Sequence, residues 1–143
     1  MKDGLRLSLL GLALACAPSL QAASLLPLRI GEAVIQAEFA DTEDERRQGL
    51  MHRRELPQEQ GMLFRFPQLG THCLWMKNTP LPLSAAFMDD QGRIVDILDL
   101  QPLSLDIRCA RRPSRFALEA NQGWFEQRGI AIGDRVEGLP PVR

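Results

Sequence analysis

From residue 33 to residue 39 apolar and polar positions alternate. Ala33, Ile35, Ala37 and Phe39 fall on one face and Val34, Gln36 and Glu38 on the other, which predicts a half-buried strand. Thr42 followed three residues on by Glu45 forms a capping box. Acids at Glu43, Asp44 and Glu45 and bases at Arg46 and Arg47 match the helix dipole, so a short helix starts here and Gly49 stops it. So short a helix depends on packing, through Leu50 and Met51. Alternation resumes over 61–66, with Met62, Phe64 and Phe66 opposite Leu63 and Arg65. A turn at 67–71 separates it from strands over 72–76 and 83–88. Asp89, Asp90, Gln91 and Gly92 then read as a hairpin loop leading to a partner strand over 93–100.

The segment 101–113 reads as irregular. On a strand over 116–121, Phe116, Leu118 and Ala120 share one face and Ala117, Glu119 and Asn121 the other. Asn121 is placed to cap a short helix through Trp124 and Phe125, which Gly129 ends, and Gly133 and Asp134 turn the chain into a last short strand. Many short strands with frequent turns predict a mainly β fold: a compact β-sandwich or partly open barrel with two short helices.

Residues 1–23 follow a different rule. A charged start (Lys2, Asp3, Arg6) precedes an apolar run over 7–17 and a small-residue exit, which is signal-peptide architecture. The run is about a dozen residues, short of the ~20 a spanning helix needs. Cleavage is expected after Ala22 or Ala23, leaving one domain over 24–143 in the periplasm or secreted. An alternative reads Ala13, Leu14, Ala15 and Cys16 as a lipobox, anchoring a lipoprotein through Cys16. No later segment is apolar enough to cross a membrane. The formal net charge is -1, which argues against general nucleic-acid binding, because that rests on phosphate neutralisation.

Cys73 and Cys109 remain beyond the leader. In an exported chain they read as a disulfide. The rival is two free thiols, with Cys109 activated by Arg108, Arg111 and Arg112 and served by His72 as base. His52 and His72 fit no zinc-ligand spacing, so no metal is expected, and no motif calls for a cofactor.

The stretch 71–83, T-H-C-L-W-M-K-N-T-P-L-P-L, concentrates the remaining chemistry. Lys77 is the only lysine after Lys2. A compact ammonium near the core needs an acceptor, and Glu119, set between Leu118 and Ala120, is the expected partner. Trp75, Met76, Lys77, Asn78, Thr79, Glu119 and Asn121 are therefore the candidate ligand-binding residues.

The blocks T-E-D-E-R-R-Q-G-L-M (42–51), G-M-L-F-R-F (61–66), W-M-K-N-T-P-L-P-L (75–83), D-D-Q-G-R-I-V (89–95), A-L-E-A-N-Q-G-W-F (117–125) and G-I-A-I-G-D-R-V (129–136) stand in order along the chain. Together they resemble the Domain of Unknown Function 192 family. The resemblance implies a compact, mainly β, often exported domain without an established activity. Its signature positions fall on Glu45, Arg46, Gly49, Leu50, Met51, Trp75, Met76, Lys77, Asn78, Thr79, Glu119, Asn121, Gly133 and Asp134. Ser84 stands where the family usually has Asp. The expected function is an exported accessory domain that binds a small polar ligand or a segment of an envelope protein at the 75–79 surface. One alternative is an envelope hydrolase or transferase with Glu119 as general base and Lys77 as electrostatic stabiliser. The other is a purely structural module.

Overall fold

The computed structural model describes residues 24–142. The expected signal segment and Cys16 lie outside them. The fold is mainly β, a seven-stranded sheet curled into a half-barrel with two short helices, so of the two expected architectures the partly open barrel is the one adopted.

In chain order the elements are β1 (Leu26–Ile30), β2 (Ala33–Ala40), α1 (Glu43–Gln48), β3 (Gln60–Gly70), β4 (Cys73–Leu74), β5 (Leu83–Met88), β6 (Ile94–Leu100), β7 (Arg108–Cys109), β8 (Ser114–Asn121), α2 (Trp124–Gln127) and β9 (Val136–Glu137). The large sheet runs β6-β5-β8-β3-β2-β1-β9, while β4 and β7 pair separately. Within the large sheet β2 and β3 are parallel and the other pairs antiparallel. A parallel pair needs a crossover rather than a hairpin, and α1 with the following loop supplies it.

Both faces of the central strands are covered. Leu63, Ala86, Phe116 and Leu118 pack on one side with Leu28, Ile35, Trp124 and Phe125. Met62, Phe64, Ala85, Phe87 and Ala117 pack on the other with Leu50, Met76 and Leu100. The alternation read from 61–66 and 116–121 therefore sorts residues between two cores rather than between core and solvent.

Four local expectations change. First, β1 was not anticipated. Leu28 and Ile30 are buried at alternate positions, and Pro27 obscures the pattern because it withholds a ladder donor. Second, the strand expected over 72–76 shrinks to β4, whose partner β7 lies inside the segment read as irregular. Cys73 faces Cys109 there, and Leu74 faces Arg108. Third, β3 runs past Pro67 to Gly70, with a register shift after Arg65. Fourth, Asn121 does not cap α2. Gly123 holds the N-cap position in a left-handed conformation, and its N–H donates to Ser84 Oγ at 3.0 Å.

The capping box on α1 forms as read: Thr42 accepts from Glu45 N–H, and Glu45 accepts from Thr42 N–H. The backbone N–H groups of Thr42 and Asp41, both donating to the Glu45 carboxylate, hold it below its ordinary range. The hairpin at 89–92 closes through Asp89, whose carboxylate accepts from the N–H groups of Gln91 and Arg93.

Candidate functional site

Glu119 lies on β8 between two apolar cross-strand neighbours, Met62 on β3 and Ala85 on β5. Gly61 lets β3 come this close, since a Cβ there would stand 2.3 Å from the Glu119 carbonyl oxygen. The alternation of β8 turns Glu119 toward the same core as Ala117, so the carboxyl enters the apolar layer of Met62, Phe64 and Leu50. It is only 4% exposed. Among the described residues, no side chain or backbone group hydrogen-bonds or ion-pairs with it. Burial alone pushes its pKa up to about 8, because a carboxylate loses its hydration there without compensation. At neutral pH the group is mainly the uncharged acid, one donor with an acceptor oxygen beside it.

The carboxyl lines a cavity of about 110 Å³. The end of α1 and the turn after it form one wall, with Gly49 and Leu50. Phe64, Leu74, Trp75 and Thr79 complete the enclosure. Gly49 is favoured at the helix end because its φ is 46°, a left-handed conformation that side-chain-bearing residues rarely adopt. Arg46 and Arg47 also border the cavity, but their guanidiniums are engaged elsewhere. Arg46 Nη1 donates to the carbonyls of Asp41 and Arg65. Arg47 pairs with Glu43 and Asp44 on the exposed side of α1. Thr79 Oγ1 donates to the Lys77 carbonyl at 3.1 Å. Glu119 is thus the buried polar group of the cavity left uncommitted, while Gln48 and Trp75, which also line it, are exposed to solvent.

The structure divides the expected site residues. Trp75, Thr79 and Glu119 meet at the cavity. The expected Lys77–Glu119 pair does not form. Lys77 is exposed, with Nζ 5.2 Å from the centroid of the Trp75 ring. The reason is the turn over 76–79, in which Thr79 N–H donates to the Met76 carbonyl and Asn78 takes φ 53°. That turn buries Met76 and Thr79 and leaves Lys77 and Asn78 outside. The Asn78 backbone carbonyl accepts from His52 N–H at 2.7 Å. Asn121 serves the scaffold, donating from Nδ2 to the Leu56 carbonyl at 2.8 Å.

Cys73 and Cys109 form a disulfide, which replaces the free-thiol alternative. His72 is no base for either sulfur: its ring stacks on Phe66, and Nε2 bonds the Gln68 carbonyl. Ser84, the departure from the family pattern, lies on the opposite face from Ala85 and Glu119. Its hydroxyl donates to Asp99 and accepts from Gly123 N–H, so it anchors α2 and leaves the cavity untouched.

The wall from Arg46 to Met51 was not among the expected site residues. Its signal was present in the 42–51 block, which residue-by-residue chemistry reads only as a capped helix.

Two solved structures share this architecture. One, from Sinorhizobium meliloti 1021 and described as a candidate transcription regulator, is 35% identical, with a TM-score of 0.78 over 82% of this chain and 95% of that one. Another, from Novosphingobium aromaticivorans DSM 12444 and described as a protein of unknown function, is 33% identical, with a TM-score of 0.77 over 86% and 94%. None of the curated proteins matches the chain. The family described as "Uncharacterized ACR" matches over residues 27–138. The chain belongs to the Domain of Unknown Function 192 family.

Proposed function

We propose that the protein is an exported accessory domain that binds a small, uncharged polar group in the Glu119 cavity. One observation carries the reading: a buried carboxyl that no protein group pairs opens into a cavity whose other buried polar side chain, Thr79, is committed. A buried polar group left unpaired costs about 1–3 kcal/mol, so a ligand that supplies both an acceptor and a donor relieves that cost. The volume, about 110 Å³, equals only a few waters at ~30 Å³ each. It suits an end group such as a hydroxyl or primary amide, the rest of the ligand extending past Trp75. The disulfide and the signal-like leader support export to an oxidising compartment.

This reading replaces the surface formed by Lys77 and Asn78 with the cavity beneath it. It is also favoured over catalysis by Glu119 and Lys77. Lys77 forms no pair with Glu119, and an acid that is mainly protonated at neutral pH is a poor general base there. The regulator description of the Sinorhizobium protein finds no support in this chain's net charge of -1.

Saturation-transfer NMR with small alcohols and primary amides tests the proposal. Binders are expected for the wild type and should be lost in Glu119→Leu, which keeps an apolar floor. Absence of any binder, or equal binding to Glu119→Leu, contradicts it.

A further inference from the structure

We propose that the arm built from β4, β7 and the 101–107 loop docks on the surface of an anionic lipid bilayer. The arm is braced at several points. The Cys73–Cys109 disulfide ties its two strands. Met76 N–H donates to the Ser104 carbonyl at 3.1 Å, and Leu103 N–H to the Thr79 carbonyl at 2.9 Å.

The apolar side chains of the loop, and Trp75 just after β4, face water. Trp75 is 42% exposed, Leu103 60%, Leu105 67% and Ile107 68%. Leu103 is held at φ 62°, a left-handed conformation unusual for leucine. Ser104 and Asp106 interrupt the apolar residues, so the loop presents separate apolar tips rather than the continuous packed face a protein partner would fill.

The charge around the tips identifies the occupant. Arg54, Lys77 and Arg108 are exposed and form no ion pair among the described residues, as is also true of Arg93, Arg112 and Arg135, whereas Arg29, Arg47, Arg53, Arg65, Arg111, Arg115 and Arg128 are ion-paired. Arg54 borders the same hollow as Asn78 and Leu103, Lys77 lies over Trp75, and Arg108 stands beside Ile107. Within the arm only Asp106 opposes them. Apolar tips with unpaired cations beside them match acyl chains beneath anionic headgroups. With so few anchoring side chains, docking is reversible. Because Trp75 also borders the Glu119 cavity, docking sets the cavity mouth near the lipid surface. The inference itself stands independently of any ligand in that cavity.

Vesicle flotation tests it, using residues 24–143, which contain the whole β-sheet and both cores. The protein should float with phosphatidylglycerol-rich vesicles and not with phosphatidylcholine alone, and added salt should release it. Trp75 emission should shift to the blue on binding, because the other tryptophan, Trp124, is already buried. The triple variant Leu103→Ser/Leu105→Ser/Ile107→Ser should lose at least about tenfold in partitioning. Arg54→Gln, Lys77→Gln and Arg108→Gln should each lose about fivefold. Thermal melts confirm that these surface variants stay folded. No flotation of the wild type, or unchanged flotation of the triple variant, overturns the proposal. So does a wild-type dimer abolished by the triple variant, which would assign the arm to a second copy of the chain.

Discussion

Glu119 and Met62 face each other across the β3–β8 ladder, a carboxyl set against a thioether within an apolar layer. A paired acid would hold its proton less tightly there, and an exposed one would keep its ordinary pKa. Glu119 is neither, and burial raises its pKa to about 8.

This asymmetry makes stability depend on pH in a defined direction. Between the unfolded value near 4.5 and the folded value near 8, the native state binds the proton more tightly. The stabilisation is therefore complete below the unfolded pKa and is lost as pH rises through the folded one. Glu119→Gln, which cannot ionise, should be more stable than wild type above pH 8 by on the order of a few kcal/mol. The difference should shrink toward pH 5. Urea unfolding of both proteins across this range checks it, and parallel profiles would contradict it.

Lys77→Met should fold normally, with stability within about 1 kcal/mol of wild type, because the ammonium makes only an exposed contact with Trp75. Binding in the Glu119 cavity should be unchanged. A chemical melt with ligand titration measures both, and lost cavity binding would return Lys77 to the site.

Asp96 is fully buried and receives Arg111 through its backbone N–H, Nε and Nη2. Hydrogen bonds from the Arg111 side chain are the main reason its carboxyl stays below the ordinary range. The stability this contributes is present above the unfolded pKa and lost as pH falls through the folded one. Asp96→Asn should cost about 2–3 kcal/mol at neutral pH and less in acid. Thermal denaturation at both pH values measures the difference, and an equal loss at both would argue for packing instead.

Joint replacement of Cys73 and Cys109 by Ser should lower stability by about 2–4 kcal/mol, since the bridge spans a sequence separation of 36. Because Cys73 and Leu74 wall the cavity, ligand affinity should fall as well. Unfolding with and without ligand separates the two effects. Unchanged stability would mean the arm is held by its hydrogen bonds alone.

How legible this was in the sequence depended on range. Local signals carried the capping box at Thr42 and Glu45, the hairpin at Asp89 and the two faces of 116–121, because each is set by neighbours within a few residues. The resemblance located the cavity walls without explaining them. What was not legible is long-range register. The pairing of Glu119 with Met62 and Ala85 follows from strand order, and strand order makes the carboxyl solitary. Lys77 misled for a local reason: the left-handed Asn78 turns the chain so that Met76 and Thr79 go inward and Lys77 outward.

The most direct test is a carbon-13 NMR titration of the glutamate side-chain carboxyls in the ligand-free protein, with Glu119→Gln identifying the Glu119 resonance. An uncharged, unpartnered acid at the cavity floor predicts a midpoint near 8. A midpoint at the ordinary glutamate value, about 4.3, would show that the carboxyl is solvated or paired and would contradict the account.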